Sequence, residues 1–168
     1  ALVAQHGEYT LVTITPANEH SFTRITSIKE VIPYTLDLTD LIARAADSST
    51  RIISFTVTEA GYYLDPNNQL DPASADIAND LAAVKAGKPG STIYGALAVM
   101  LKARLQAGSG PVTLLCCDNL RHNGDRSRSG LLQFIKKLGD DALMDWVEAN
   151  TSSPNDMVDR ITPRPAPD

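Results

Sequence analysis

The chain has little cysteine and little histidine, and neither is spaced for chemistry. Only two of its 168 residues are Cys and three are His. The cysteines are neighbours, Cys116-Cys117, inside an apolar run. Adjacent cysteines rarely bridge each other, and a strand points them to opposite faces. Free thiols in a reducing compartment are therefore expected, which points to the cytoplasm. Scattered histidines and the lack of any Cys-x-x-Cys pair leave no metal-site spacing, which argues against a zinc enzyme and for no metal. No apolar run approaches the length of a membrane span. There is no excess of positive charge: 15 Lys and Arg against 20 Asp and Glu give a net charge of -5. That balance speaks against nucleic acid or an anionic membrane as partner. Internal repeats and low-complexity tracts are absent. The start, Ala1-Leu2-Val3-Ala4-Gln5-His6-Gly7, lacks the basic region and long apolar core of a signal peptide. It also lacks an initiator Met, which points to a processed or shortened chain.

What is present is the patterning of an α/β protein large enough for one domain with a real core. Tyr9 to Thr15 is β-branched and apolar, a strand pattern. Thr23 to Val31 reads as a second extended piece. Leu38 to Ala46 reads as a short helix, with Leu38, Leu41, Ile42 and Ala45 on one face and Thr39 as N-cap. Arg51 to Val57 is nearly continuously apolar, the pattern of a buried parallel strand. Thr58 to Ser91 is polar and rich in Pro, Asn, Asp and Gly, with one short helix expected near Ile77 to Val84. Thr92 to Gln106 carries Ile93, Leu97, Met100, Leu101 and Leu105 at helical spacing, and Gly108 and Gly110 close it. Val112 to Cys117 is a second buried strand. Leu131 to Leu138 and Ala142 to Ala149 are amphipathic helices, with Trp146 half buried. Strand, helix and buried strand in order imply a βαβ unit in a mostly parallel sheet.

Ligands of open α/β sheets bind beyond the carboxyl ends of the strands. Two strands here end in dense polar clusters, Thr58-Glu59-Ala60-Gly61-Tyr62-Tyr63 and Asp118-Asn119-Leu120-Arg121-His122-Asn123-Gly124. That placement makes both candidates for function. The same letters also serve a plain turn, in which Asp118 and Asn119 bend the chain and cap the next helix. Cys116 and Cys117 read as core thiols, because nothing basic adjoins them in sequence to lower a pKa. His122 reads as a loop histidine bonded locally, and Lys136-Lys137 as a solvated helix face. Gly87-Lys88-Pro89-Gly90-Ser91-Thr92 lacks the spacing of a phosphate loop, and Pro89 removes an amide donor.

A third cluster lies near the C-terminus: Pro154-Asn155-Asp156-Met157-Val158-Asp159-Arg160-Ile161-Thr162-Pro163. Asp159 and Arg160 are residue types that are rarely buried unless paired with each other or a ligand. This segment resembles the signature of the long-chain polyol dehydrogenases, the mannitol dehydrogenase family. Thr56-Val57-Thr58-Glu59-Ala60-Gly61-Tyr62 and Cys117-Asp118-Asn119-Leu120-Arg121-His122-Asn123-Gly124 resemble two further blocks of that family, in the same order and at matching spacing. The similarity runs through nearly the whole chain. Gly61-Tyr62-Tyr63-Leu64, Arg121-His122-Asn123-Gly124 and Arg160-Ile161-Thr162-Pro163-Arg164-Pro165 look most like its D-arabinitol branch.

The resemblance implies a partial Rossmann-like fold: a doubly wound, mostly parallel sheet flanked by helices. It implies reversible oxidation of a secondary alcohol of an acyclic polyol to a ketose, with NAD as cofactor and no metal. Within the family a mannitol 2-dehydrogenase or a fructuronate or tagaturonate reductase is the nearer alternative; a non-catalytic α/β interaction module is the alternative of another class. Residue by residue, Asn119 matches an amide that polarises the reacting oxygen and contacts substrate. Glu59 matches an acid that relays the proton from a catalytic lysine. Asp159 matches an acceptor of polyol hydroxyls, with Arg160 contacting substrate or holding Asp159. Val57 and Thr58 match the strand end that passes the nicotinamide. Asn119 also suits a turn, Glu59 a solvated loop, Arg160 a plain salt bridge, and Val57 and Thr58 a strand end without ligand.

The family's Gly-x-Gly-x-x-Gly turn and its lysine-bearing helical domain have no counterpart here. Residues 1–162 are accordingly expected to be the central and C-terminal part of an NAD-binding domain, and 163–168 an extended exit toward a helical domain. A sheet without its first strands leaves an open edge, through which the chain is expected to self-associate.

Overall fold

A computed structural model describes residues 2–33, 35–71 and 73–157. The chain divides into two compact units, one of Ala1–Tyr34 with Arg160–Asp168 and one of Thr35–Asp159. The exit expected at 163–168 lies outside the described residues.

The first unit is a hairpin. Strand β1 (Tyr9–Ile14) pairs antiparallel with β2 (His20–Ile25), from Tyr9 opposite Ile25 to Ile14 opposite His20. The second extended piece thus lies earlier than its sequence pattern suggests. Pairing stops at Ile25 because β1 offers no partner beyond Tyr9, and Thr26 to Val31 continue without a strand.

The second unit is built on a parallel sheet in the order β3-β4-β5, with β3 Ile52–Phe55, β4 Val112–Cys116 and β5 Thr151–Ser152. Helices α1 (Thr39–Ala46), α2 (Ala75–Lys85), α3 (Ile93–Ala107), α4 (Asn123–Leu138) and α5 (Asp141–Asn150) complete it. This is the parallel βαβ arrangement that the pattern of β3, α3 and β4 implies, and the Rossmann-type α/β layering that the resemblance implies. Helix α3 is apolar nearly all round, so it must be covered on several sides. It packs against α1, α2, α4 and α5, and Tyr94, Leu97, Ala98 and Leu101 are fully enclosed.

Local chemistry fixes the ends of α3. The Thr92 hydroxyl accepts the amide of Gly95 at 3.3 Å. The buried Asp80 carboxylate accepts the amides of Ser91 (2.7 Å) and Thr92 (2.8 Å) and both their hydroxyls. Its oxygens fill the space where a side chain at Gly90 or Gly95 would project. The amides that a phosphate would need are therefore already engaged, in keeping with the broken phosphate-loop spacing. At the other end Gly108, at φ +65°, adopts the left-handed turn that ends the helix.

Three boundaries differ from the pattern-based reading. Thr39 does not cap α1: Leu38 precedes the helix at φ 52°, and Asp37 accepts the Thr39 amide at 3.3 Å. Leu38 reaches this strained conformation because its side chain is completely buried. Strand β3 is not buried on both faces. Ile52 is 56% exposed while Ile53 and Phe55 lie against the core, because β3 is a sheet edge with β4 as its one partner among the described strands. Helix α4 begins at Asn123, eight residues before the apolar pattern at Leu131. Its first turns are polar and carry two glycines, which conceals the helix. Both glycines are packing requirements: a Cβ at Gly124 would strike the Pro154 carbonyl, and one at Gly130 the Tyr94 hydroxyl.

Candidate active site

The C-terminal ends of β3 and β4 lie side by side, because the two strands are parallel and in register from Ile52–Thr113 to Phe55–Cys116. Beyond the last pair the chains stay joined: the Cys117 amide donates to the Phe55 carbonyl at 2.8 Å, and the Thr56 hydroxyl to the Cys117 carbonyl at 3.4 Å. Each strand then opens into a turn.

After β3, Val57 is half-buried and Thr58 exposed, and a 3-10 turn runs from Glu59 to Tyr62. Gly61 closes on this strand end, where an added Cβ would lie 3.2 Å from that of Val57. Glu59 is exposed at the start of the turn; Tyr62, at its end, is buried.

After β4, Asp118 is buried and Asn119 exposed. The turn chemistry falls to Asp118, whose Oδ1 accepts the Leu120 amide at 3.3 Å. Its Oδ2 accepts the Tyr62 hydroxyl and the Cys116 thiol, the latter at 3.3 Å. Burial, and then the bond to Asp118, drive the Tyr62 phenol far above its usual pKa, so it remains a donor. Burial likewise raises the Cys116 thiol. Cys116 is enclosed and Cys117 half-buried, the opposite-facing free thiols that adjacent strand positions imply.

The side chains of Asn119 and Glu59 have no hydrogen-bond partner among the described residues. The turn reading of the β4 end is thus satisfied by Asp118, and it leaves the Asn119 amide uncommitted. Four residues on, Asn123 has no exposure. Its Nδ2 donates to the carbonyls of Cys116 (2.9 Å) and Asp118 (3.2 Å). Its Oδ1 accepts the amides of Gly124 (2.8 Å) and Asp156 (2.9 Å). Asn155 and Asp156, the start of the third cluster, are therefore brought to the same end of the sheet. Asn155 reinforces it, accepting the Asp125 amide at 3.0 Å and donating to the Asp125 carboxylate at 2.9 Å.

A cavity of about 360 Å³ opens here, lined by Arg121, His122, Asn155, Asp156 and Met157. His122 is exposed, at φ 57°, with Nδ1 3.7 Å from the Asp125 carboxylate. The other candidate residues of this cluster, Asp159 and Arg160, lie outside the described residues. No group of three or more His, Cys, Asp or Glu side chains suited to a metal ion occurs among the described residues.

Sequence reasoning gave no role to Tyr62 or Asn123 and read Asp118 only as a turn residue. A buried Asn at the start of a helix has the same letters around it as a solvated one. Only its four bonds distinguish it.

Comparison with known proteins agrees with this architecture. Residues 1–166 match the family model described as the mannitol dehydrogenase Rossmann domain. The D-arabinitol 4-dehydrogenase of Ralstonia nicotianae is 52% identical over all 168 residues, which cover 35% of that protein. The D-arabinitol 4-dehydrogenase of Klebsiella pneumoniae is 46% identical over the same length, covering 36% of it. The mannitol 2-dehydrogenase of Pseudomonas fluorescens, solved as a ternary complex with NAD and D-mannitol, superposes with a TM-score of 0.82 at 34% identity, over 96% of this chain and 32% of that one. The chain thus spans about a third of the length of the relatives it matches. With its parallel β3-β4 unit, its three clustered turns and this match over residues 1–166, the chain belongs to the mannitol dehydrogenase family, within the family's Rossmann domain.

Proposed function

We propose that the protein carrying this domain is an NAD-dependent polyol dehydrogenase that oxidises a secondary alcohol of an acyclic polyol to a ketose, and that its substrate is D-arabinitol. The observation that carries this reading is the exposed, uncommitted amide of Asn119 at the carboxyl end of the central strand. The 52% identity to a D-arabinitol 4-dehydrogenase supports the choice of polyol.

Removal of the hydroxyl proton by a base gives the carbinol oxygen alkoxide character, and departure of hydride to NAD then converts it to the ketone. An amide N–H donor held there stabilises that charge more than it stabilises the ground-state alcohol. Asn119 supplies this donor. Glu59, exposed on the neighbouring turn, passes the alcohol proton on toward solvent once a base has taken it. By the resemblance that base is a lysine of the family's helical domain, so turnover is expected of the complete polypeptide. Asp159 accepts hydrogen bonds from the remaining hydroxyls of the polyol, and Arg160 holds Asp159 or contacts substrate directly. Val57 and Thr58 suit a nicotinamide ring: a half-buried apolar side chain and an exposed polar one stand where the strand leaves the sheet. When bound, NAD supplies the hydride acceptor. The free thiols support a cytoplasmic setting.

The test is a substrate panel on the complete polypeptide, with D-arabinitol, D-mannitol, D-sorbitol, fructuronate and tagaturonate offered with the matching oxidised or reduced NAD and NADP. Highest kcat/KM with D-arabinitol and NAD is expected. Preference for a sugar acid would move the protein to the reductase branch, and no turnover on any member would defeat the enzymatic reading.

A further inference from the structure

The groups proposed for chemistry, Glu59 and Asn119, stand on turns with exposed side chains, yet each turn has an inward-facing polar residue close by. Tyr62 ends the 3-10 turn that Glu59 begins. Asp118 immediately precedes Asn119. The hydroxyl of the first donates to the carboxylate of the second, inside the protein. Each partner is anchored again from behind. The Tyr62 carbonyl accepts the Tyr94 hydroxyl of α3 at 2.8 Å, and that hydroxyl sits against Gly130 of α4, where no side chain fits. The Asp118 carbonyl accepts the Asn123 amide at 3.2 Å, and the same side chain accepts the Asp156 amide at 2.9 Å.

We propose that Tyr62, Asp118 and Asn123 are positioning residues of the active site: a buried polar brace that fixes the turns of Glu59 and Asn119 to each other and ties the Asn155–Asp156 segment to both. This rests on the functional reading above. A packing role alone does not explain the choice of residues. Leu, Ile and Phe fill such space without desolvating a carboxylate, and a buried polar cluster gains over them chiefly in direction. Asn123 shows this most clearly: both its donors and both acceptor sites of its oxygen are engaged, so its orientation is fully determined. A catalytic amide one residue from such a brace is held in angle as well as in place. Misplacement of about 1 Å at a reacting centre lowers rates by about a hundredfold.

The experiment uses the complete polypeptide with Tyr62→Phe, Asp118→Ala, which leaves no oxygen to accept the Tyr62 hydroxyl, and the double variant. Tyr62→Phe removes one oxygen and keeps the ring, so the fold is retained. In each single variant kcat for polyol oxidation is expected to fall about tenfold or more, while KM and the Kd for NAD stay within about twofold. The double variant is expected to be no worse than the poorer single one, because both remove the same bond. Unchanged kcat in both single variants, or losses that multiply in the double variant, would overturn the brace. Amide hydrogen exchange gives a readout independent of turnover. Tyr62→Phe is expected to speed exchange at 59–62 and at 118–122 together; acceleration in one turn alone, or in neither, counts against the proposal. A wild-type protein that oxidises no polyol defeats the functional reading, and the exchange result still decides whether the brace exists.

Discussion

Asn119 and Asn123 are the same residue type four positions apart, and they have opposite surroundings. One is exposed with its amide free; the other is enclosed with every polar atom engaged. The exposure of the first is what a polar turn after a buried strand leads one to expect. The enclosure of the second was not legible, because burial is a property of the fold and leaves no mark on a polar letter. Asp140 shows a residue whose chemistry can be isolated by titration. It caps α5, accepting the Leu143 amide at 3.1 Å, and it accepts Lys102 Nζ at 2.6 Å. The lysine, and after it the cap amide, hold its carboxyl below the ordinary value of 3.8. A carboxyl depressed by folding stabilises the native state above its unfolded pKa, and this contribution disappears as pH falls through the folded pKa. Asp140→Asn keeps a capping oxygen and removes the charge. The difference in Tm between wild type and Asp140→Asn is therefore expected to be constant above about pH 5 and to close below about pH 4. A difference that persists undiminished to about pH 3 would show that the charge is not its source.

Among the elements, α3 and β4 follow from apolar spacing alone, while α4 does not, because its first two turns are chosen for what presses on them. Gly124 admits the Pro154 carbonyl and Gly130 the Tyr94 hydroxyl, and two glycines among charges read as a loop. Strand β3 had the reverse problem. Its apolar run is real, but full burial depends on neighbours, and among the described strands it has one on a single side. The ends of α1 and α3 are joined by Arg104, which has no exposure. Its guanidinium donates to five carbonyls: Ala45 in the last turn of α1 and Asp47 just after it, and Ser109, Gly110 and Pro111 after α3. Helical spacing marks Leu101 and Leu105 as core but cannot mark an arginine between them, since its burial depends on two helix ends whose free carbonyls meet it. Arg104→Met keeps much of the volume and leaves those carbonyls without their donor. We expect destabilisation of at least about 3 kcal/mol in urea unfolding. A loss below about 1 kcal/mol would mean that water replaces the guanidinium at both helix ends.

At the scale of the whole molecule, the parallel unit delivers two turns to one end of a sheet, and Asn123 brings the third segment to them. The parallel α/β unit was legible because strand, helix and strand alternate. The convergence of the two turns with Asn155–Asp156 was not, because it depends on hydrogen bonds between residues far apart in sequence, such as Tyr62 and Asp118, 56 positions apart. We propose that β3, whose one partner among the described strands is β4 and whose Ile52 is more than half exposed, pairs with a second copy of this chain. Light scattering is expected to show dimers or larger species, and a monodisperse monomer counts against that. If the free amide of Asn119 stabilises the reacting oxygen of a polyol, as proposed above, kcat for D-arabinitol oxidation with NAD, measured on the complete polypeptide, falls about a hundredfold or more in Asn119→Ala, with NAD affinity and Tm unchanged; an unchanged kcat would remove Asn119 from the mechanism.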